Sequence, residues 1–193
     1  YGLPKPNDEG WMGGPIVGRG SFMPKYVTGL DPETGQGPRA VVHYTVGCEG
    51  LDIEIEKNTG RIHVLKAGAC FDVGKAINPA LVKAQVEGGF VQGLSSAMFE
   101  EIRLRSGVMT NPSFVDYRIA TAADTNFKLE ATYAEVPQDD GPWGARGVGE
   151  HPMVPTIAAL GNAIYAATGL RLEGPPFSAE KIYLAMLDAG IVK

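Results

Sequence analysis

Gly144-Ala145-Arg146-Gly147-Val148-Gly149-Glu150-His151-Pro152 is the stretch from which the rest of the chain is best read, with Gly141-Pro142-Trp143 running into it. Three glycines, one carboxylate and a closing proline stand directly before an apolar run over residues 153–168. In that run Ile157, Leu160, Gly161 and Ile164 repeat at helical spacing. Glycines this dense let the backbone take positive φ and lie against a ligand with no Cβ between them. Amides at the mouth of a helix can point at carbonyl or anionic oxygens. Glu150 falls at the loop–helix junction, where a fixed base would be placed. The same residues also fit a plain connector whose carboxylate is favoured by the helix dipole.

Working outward, Asn78-Pro79 opens a second helix that runs to about Met98, asparagine serving as N-cap and proline as first helical residue. Gln85 and Gln92 are seven residues apart and so share a face, with Gly88, Gly89 and Gly93 beside them. Mid-helix glycine is unfavourable by about 1 kcal/mol relative to alanine, so something must approach that face closely. Either another helix packs there, or a flat ligand is hydrogen-bonded by the two amides. Upstream, Leu51, Ile53 and Ile55 alternate with Asp52, Glu54 and Glu56, a half-buried strand. Lys57-Asn58-Thr59-Gly60 turns it into a return strand over residues 61–72, with Gly60 left-handed. Further strands are expected over residues 21–27, 39–46 and 127–136, and one continuing from Met98 to Arg105. A last helix over residues 178–187 is capped by Ser178, with Glu180 in its first turn. Residues 1–20 read as an irregular arm and residues 21–193 as one α+β domain of twisted mixed sheets with flanking helices.

Apolar residues at 44% and charged residues at 20% indicate a folded soluble protein. A net charge of −5 argues against nucleic-acid or anionic-membrane partners. Cys48 and Cys70 are the two cysteines, which excludes a cysteine-held iron–sulfur cluster or a four-thiolate zinc site within this chain. A disulfide between them is open, and reduced thiols in a cytoplasmic protein are the expectation. No apolar run approaches the ~18 residues of a membrane span. The chain opens at Tyr1 without an initiator methionine or a secretory segment, and is read as a processed chain or one piece of something larger.

Two stretches go beyond general pattern. Asp72-Val73-Gly74-Lys75-Ala76-Ile77-Asn78-Pro79, followed by Gln85-Val86-Glu87-Gly88-Gly89-Phe90-Val91-Gln92-Gly93-Leu94, is one, and Gly147-Val148-Gly149-Glu150 before an apolar helix is the other. In this order they resemble the molybdopterin-binding subunit of the xanthine dehydrogenase/aldehyde oxidase family of molybdenum hydroxylases, in its C-terminal portion. Asn111-Pro112 through Asp116-Tyr117 and the terminal Pro176-Phe177-Ser178-Ala179-Glu180-Lys181-Ile182 agree. The resemblance implies that Glu150 is the general base taking a proton from a molybdenum-bound hydroxyl. It implies that Gln85 contacts the pterin and that Gly147, Val148 and Gly149 lie near the metal. Gln92 joins the cofactor-binding set from its place on the helix face alone.

The resemblance further implies a molybdenum–molybdopterin cofactor, its dinucleotide form left open, held by the pterin dithiolene with no protein ligand to the metal. Iron–sulfur clusters and FAD would sit on partner subunits or domains, as would the remaining half of the molybdopterin site. The substrate would be a small aldehyde or N-heteroaromatic molecule hydroxylated with water as oxygen source. Alternatives are a non-catalytic assembly module of the same fold and a generic phosphate-ligand domain. Arg146 is expected to pair with Glu150, to meet a cofactor oxygen or to face solvent. His151 stands where many relatives have proline, beside the base. His43 and His63 are expected as structural or surface residues in strands, Glu100-Glu101 as a solvated edge, and Trp11 and Trp143 as core or interface packing.

Overall fold

The computed structural model describes residues 17–22, 24 and 26–193, and the chain divides into two units, Tyr1–Val42 and His43–Lys193. Residues 1–16 of the expected arm, Trp11 among them, lie outside the described residues. In the first unit Asp31 closes the loop over residues 30–38. Its Oδ1 accepts from the amides of Glu33 at 2.9 Å and Thr34 at 2.8 Å, and Gly35 turns at φ 66°. The strand expected over residues 21–27 is not formed at the described residues there.

The second unit begins with the expected hairpin. Strand β1, Gly47–Ile55, pairs antiparallel with β2, Ile62–Asp72. Gly60 turns at φ 71°, and a Cβ there would stand 2.1 Å from the Ala179 carbonyl oxygen. The strand expected over residues 39–46 does not form, and His43 therefore precedes the sheet. The cause lies opposite. Strand β2 ends at Asp72, whose amide donates to Val46 O at 2.8 Å, and the chain then turns away at Gly74 with φ 62°. No further strand remains for residues before Val46 to pair with.

Helix α1, Pro79–Met98, starts as its sequence dictates, the Asn78 side chain accepting from Leu81 N at 3.1 Å. In place of the strand expected to run on to Arg105 there are two short strands, β3 (Leu104–Arg105) and β4 (Val108–Met109). Buried Asn111 fixes this corner, accepting from Arg103 N at 2.9 Å and donating to Glu101 O at 2.7 Å. The Glu100-Glu101 pair is more than a solvated edge: Glu100 accepts from the Tyr117 hydroxyl at 2.8 Å and Glu101 meets Arg103 at 2.8 Å. Strand β5, Lys128–Ala134, lies parallel to β2, giving a mixed sheet of order β1-β2-β5. Helix α2, Val154–Thr168, ends at left-handed Gly169. Helix α3, Ala179–Asp188, is capped by Ser178. The fold is α+β.

One face of α1 makes the core. Val86, Phe90 and Leu94 are fully buried against Phe71 of β2, Leu160 and Ile164 of α2, and Ile182 and Met186 of α3. Burying each such side chain stabilises by about 1.5–3 kcal/mol. The glycines of α1 divide between two faces. A Cβ at Gly89 would meet Pro152 at 2.8 Å, and one at Gly93 would meet Thr156 Oγ1 at 2.5 Å and Met153 O at 2.6 Å. Those two glycines admit the start of α2. Gly88, on the exposed face with Gln85 and Gln92, has nothing within 4 Å of its Cβ position.

Opposite outcomes are therefore expected from one substitution at two neighbouring sites. Gly88→Ala should raise stability by about 0.5–1 kcal/mol through helix propensity. Gly93→Ala should lower it by about 1–3 kcal/mol, because backbone and a β-branched side chain must give way. Thermal or urea unfolding of the two variants measures this, and destabilisation by both would show that the Gly88 face is also packed.

Candidate functional site

The two sequence motifs meet at one crossing. Just past β2, Gly74 pairs with Ala145 in an isolated antiparallel bridge. Arg146 N donates to Val73 O at 3.0 Å, and Lys75 N to Gly144 O at 2.8 Å. A Cβ on Gly74 would lie 2.4 Å from Gly144 O, so only glycine admits the approach. Asp72 ties the crossing off: its Oδ1 accepts from Gly74 N and from Val136 N, both at 3.0 Å. Its other oxygen lies 3.4 Å from the Arg146 guanidinium. On the α1 side, Glu135 Oε1 accepts from Ala76 N at 2.8 Å and meets Lys75 at 3.0 Å, fixing the lead into the helix.

Beside this crossing lies an open hollow of about 200 Å³. The start of α1 lines it with Asn78, Leu81 and Gln85, and the glycine loop lines it with Arg146 and Val148. Gln85 and Val148, far apart in sequence, are thus brought to one hollow. Gly147 and Gly149 flank Val148, with nothing within 4 Å of either Cβ position. Glu150 is exposed, at the entrance to a short 3₁₀ turn, His151–Met153, that feeds α2. The helical run expected from residue 153 therefore starts as this tighter turn, with prolines 152 and 155 in its lead. Gln92 is exposed two turns beyond Gln85 and does not line the cavity. Among the described residues the side chains of Gln85, Gln92 and Glu150 make no hydrogen bond within the chain, and all three residues are exposed to solvent or to a ligand. Three larger hollows, of about 580, 600 and 270 Å³, lie elsewhere and are lined by none of these residues.

Several neighbours depart from expectation. Arg146 neither pairs with Glu150 nor faces solvent. It turns inward, its side chain 14% exposed, to Asp72 and to Tyr44 O at 3.3 Å. Burial opposes ionisation of Asp72, but the Val136 and Gly74 amides and Arg146 outweigh it and hold the carboxyl below its usual range. His151 packs its ring on Phe71, with centroids 5.1 Å apart. Burial, then repulsion from His43, lowers its pKa, so it is neutral near pH 7 and brings no positive charge to Glu150. The nitrogens His43 Nδ1, Arg146 Nε and His151 Nε2 are buried without partners. Trp143, expected to pack, is 85% exposed at the loop's edge with φ 52°. His63, on β2, meets Glu56 at 2.6 Å as a structural pair.

Sequence reasoning assigned no role to Asp72, Thr156 or Glu49. Asp72 carried a signal, standing two residues before a glycine at a strand end. Glu49, on β1, carried none: its partner is the Thr156 hydroxyl, 2.6 Å away and 107 residues on. Burial pushes the Glu49 carboxyl up to about 7, against the lowering effect of that bond.

The chain matches the family described as molybdopterin cofactor-binding domain over residues 7–126, which includes Gln85 and stops before the glycine loop. It is 31% identical over 148 residues to the xanthine dehydrogenase molybdenum-binding subunit of Escherichia coli O157:H7, covering 76% of this chain and 20% of that one. It is 30% identical over 167 residues to the aldehyde oxidoreductase of Megalodesulfovibrio gigas, covering 86% and 18%. Among solved structures, reconstituted CO dehydrogenase from Oligotropha carboxidovorans superposes with a TM-score of 0.71 at 30% identity, over 80% of this chain and 19% of that one. The chain thus spans about a fifth of the length of the curated relatives it matches.

The crossing gives a pH-dependent prediction. A carboxyl held below its usual range contributes stability that is present above the ordinary value of 3.8 and lost as pH falls through the folded-state value. Asp72→Asn should therefore destabilise at pH 7 by about 1–3 kcal/mol, the scale of hydrogen bonds to a charged group. The gap to wild type should narrow as pH falls through the folded-state value, which lies below the ordinary carboxyl value. Thermal melts at pH 7 and pH 3 measure it, and an undiminished gap at pH 3 would contradict the ionic role.

Proposed function

Because the chain belongs to the molybdopterin cofactor-binding domain family, we propose that it supplies part of the pterin site and the proton-accepting carboxylate of a molybdenum hydroxylase. The substrate class is an aldehyde or an N-heteroaromatic carbon, hydroxylated with water as oxygen source. The observation that carries this reading is the convergence of Gln85 and Val148 on one hollow, with unpartnered Glu150 at the end of the same loop.

The residues present fit such a cofactor. Gln85 offers an amide donor and acceptor to the edge of a fused heterocycle. Gly147 and Gly149 leave their amides accessible, with no Cβ to hold a ligand off. Ile77 and Leu81, each 63% exposed, provide apolar surface beside them. Gln92, farther along the same helix face, is a secondary contact. When bound, the cofactor supplies the two-electron acceptor for the substrate carbon.

Hydroxylation by water releases two protons and two electrons. The Glu150 carboxylate accepts the proton that the attacking oxygen gives up, an arrangement that requires hydrogen-bond reach directly or through one water. Neutral His151 leaves that carboxylate without an adjacent cation to weaken it as a base. The remaining part of the molybdopterin site, and iron–sulfur and flavin carriers for the electrons, belong to partner domains or subunits. The two cysteines are free thiols and no described helix is long and apolar enough to cross a membrane. A cytoplasmic location without nucleic-acid or anionic-membrane partners is part of this proposal, supported by the net charge of −5.

The test uses the full-length assembled protein that carries this chain. Glu150→Gln should keep molybdenum and pterin content while lowering turnover of aldehyde or N-heteroaromatic substrates by about 10²–10⁴-fold. Gln85→Ala should lower pterin content instead. Wild-type turnover in Glu150→Gln would remove the general-base assignment. Assembled protein that is folded and free of molybdenum and pterin would favour a non-catalytic assembly module.

A further inference from the structure

Glu49 is a half-buried acid for which the chemistry above has no use. It lies on β1 across from Ala69 of β2, and its side chain reaches the first turn of α2. Glu49 Oε2 is 2.6 Å from Thr156 Oγ1, and the same hydroxyl is 3.2 Å from the carbonyl oxygen of Pro152. Glu49 Oε1 is buried with no partner. Thr156 is itself 0% exposed, and Gly93 of α1 closes the other side, so the hydroxyl has nowhere else to turn.

A threonine hydroxyl has one proton and two acceptors here. When Glu49 is protonated, its O–H donates to Thr156 Oγ1, which in turn donates to Pro152 O, and both bonds are made. When Glu49 is ionised, Thr156 must donate to the carboxylate, and Pro152 O loses its side-chain partner. Pro152 sits in the 3₁₀ turn two residues beyond Glu150. We propose that Glu49 is a positioning residue for Glu150, its carboxyl group acting through Thr156 to tighten or release the turn that carries the loop carboxylate. The link to catalysis rests on the reading that Glu150 accepts the proton. The relay itself does not.

Burial places the Glu49 titration at about 7. The titratable groups that line the same shallow depression as Glu49 are Cys48 and Cys70, on paired positions of β1 and β2, and Glu130 of β5, while His151 stands in the 3₁₀ turn with Pro152. His151 is held below its ordinary value by burial first, and Glu130 below its own by the Lys128 side chain first. No charged neighbour contributes to the Glu49 shift. The turn should be tight below neutral pH and looser above it.

Hydrogen-exchange mass spectrometry on the full-length protein, on peptides covering residues 147–160 between pH 5.5 and 8.5 and corrected for intrinsic exchange, reads this directly. Wild type should lose protection across pH 7 by about two- to tenfold, the range one hydrogen bond carries. Glu49→Gln should stay protected at every pH, because its amide donates to Thr156 as the protonated acid does. Thr156→Val should show low protection with no pH step. Identical pH steps in wild type and Glu49→Gln, or no step in wild type, would overturn the relay. A relay that behaves as expected beside a fully active Glu150→Gln would instead fault the proposed function.

Discussion

Everything that brings the candidate residues together passes through the crossing of residues 73–75 with residues 144–146. Two backbone segments about seventy residues apart approach closely enough to exchange hydrogen bonds, which only a glycine at position 74 permits. Asp72 answers two orphan amides and one guanidinium at that point. The part-buried carboxylate is tolerable because each of those partners favours its charge. Without the crossing, Gln85 would be one exposed amide on a helix and Val148 one residue of a loose loop. With it, they face one cavity.

Helix α1 mediates between core and site. Its buried stripe of Val86, Phe90 and Leu94 anchors it to the sheet, while Gly89 and Gly93 let the 3₁₀ turn and α2 come within contact of its backbone. The turn therefore holds Glu150 near the same helix that offers Gln85. On the exposed strip of α1, Gln85 faces the hollow and Gly88 has nothing within 4 Å of its Cβ position. The contacts of Gly89 with Pro152 and of Gly93 with Met153 and Thr156 settle for those two glycines the choice between a helix neighbour and a ligand. For Gln85, the open face remains.

Local chemistry made much of this legible in advance. Alternation over residues 51–55, the Asn78-Pro79 start, the Ser178 cap and Gly60 all act within a few residues, and each has the structure expected of it. Features that depend on distant partners were not legible. Residues 39–46 have strand composition but no strand to pair with, because β2 stops at Asp72. The sequence around Arg146 offers nearby Glu150, a cofactor oxygen or solvent, yet its partner, Asp72, is remote in sequence. Thr156 was one more residue on an apolar helix, and only the fold brings it to Glu49. Of the site, the residue types and their order were readable, but the cavity that joins Gln85 to Val148 was not.

Locating the metal tests this picture most directly. Crystals of the full-length assembled protein, with anomalous diffraction recorded at the molybdenum edge, would place the atom without recourse to kinetics. We predict one molybdenum peak within hydrogen-bond reach of the Glu150 carboxylate, directly or through one water, and pterin density against the Gln85 amide. A molybdenum site remote from the loop at residues 147–150, or pterin bound away from Gln85, would contradict the assignment of this chain to the active site.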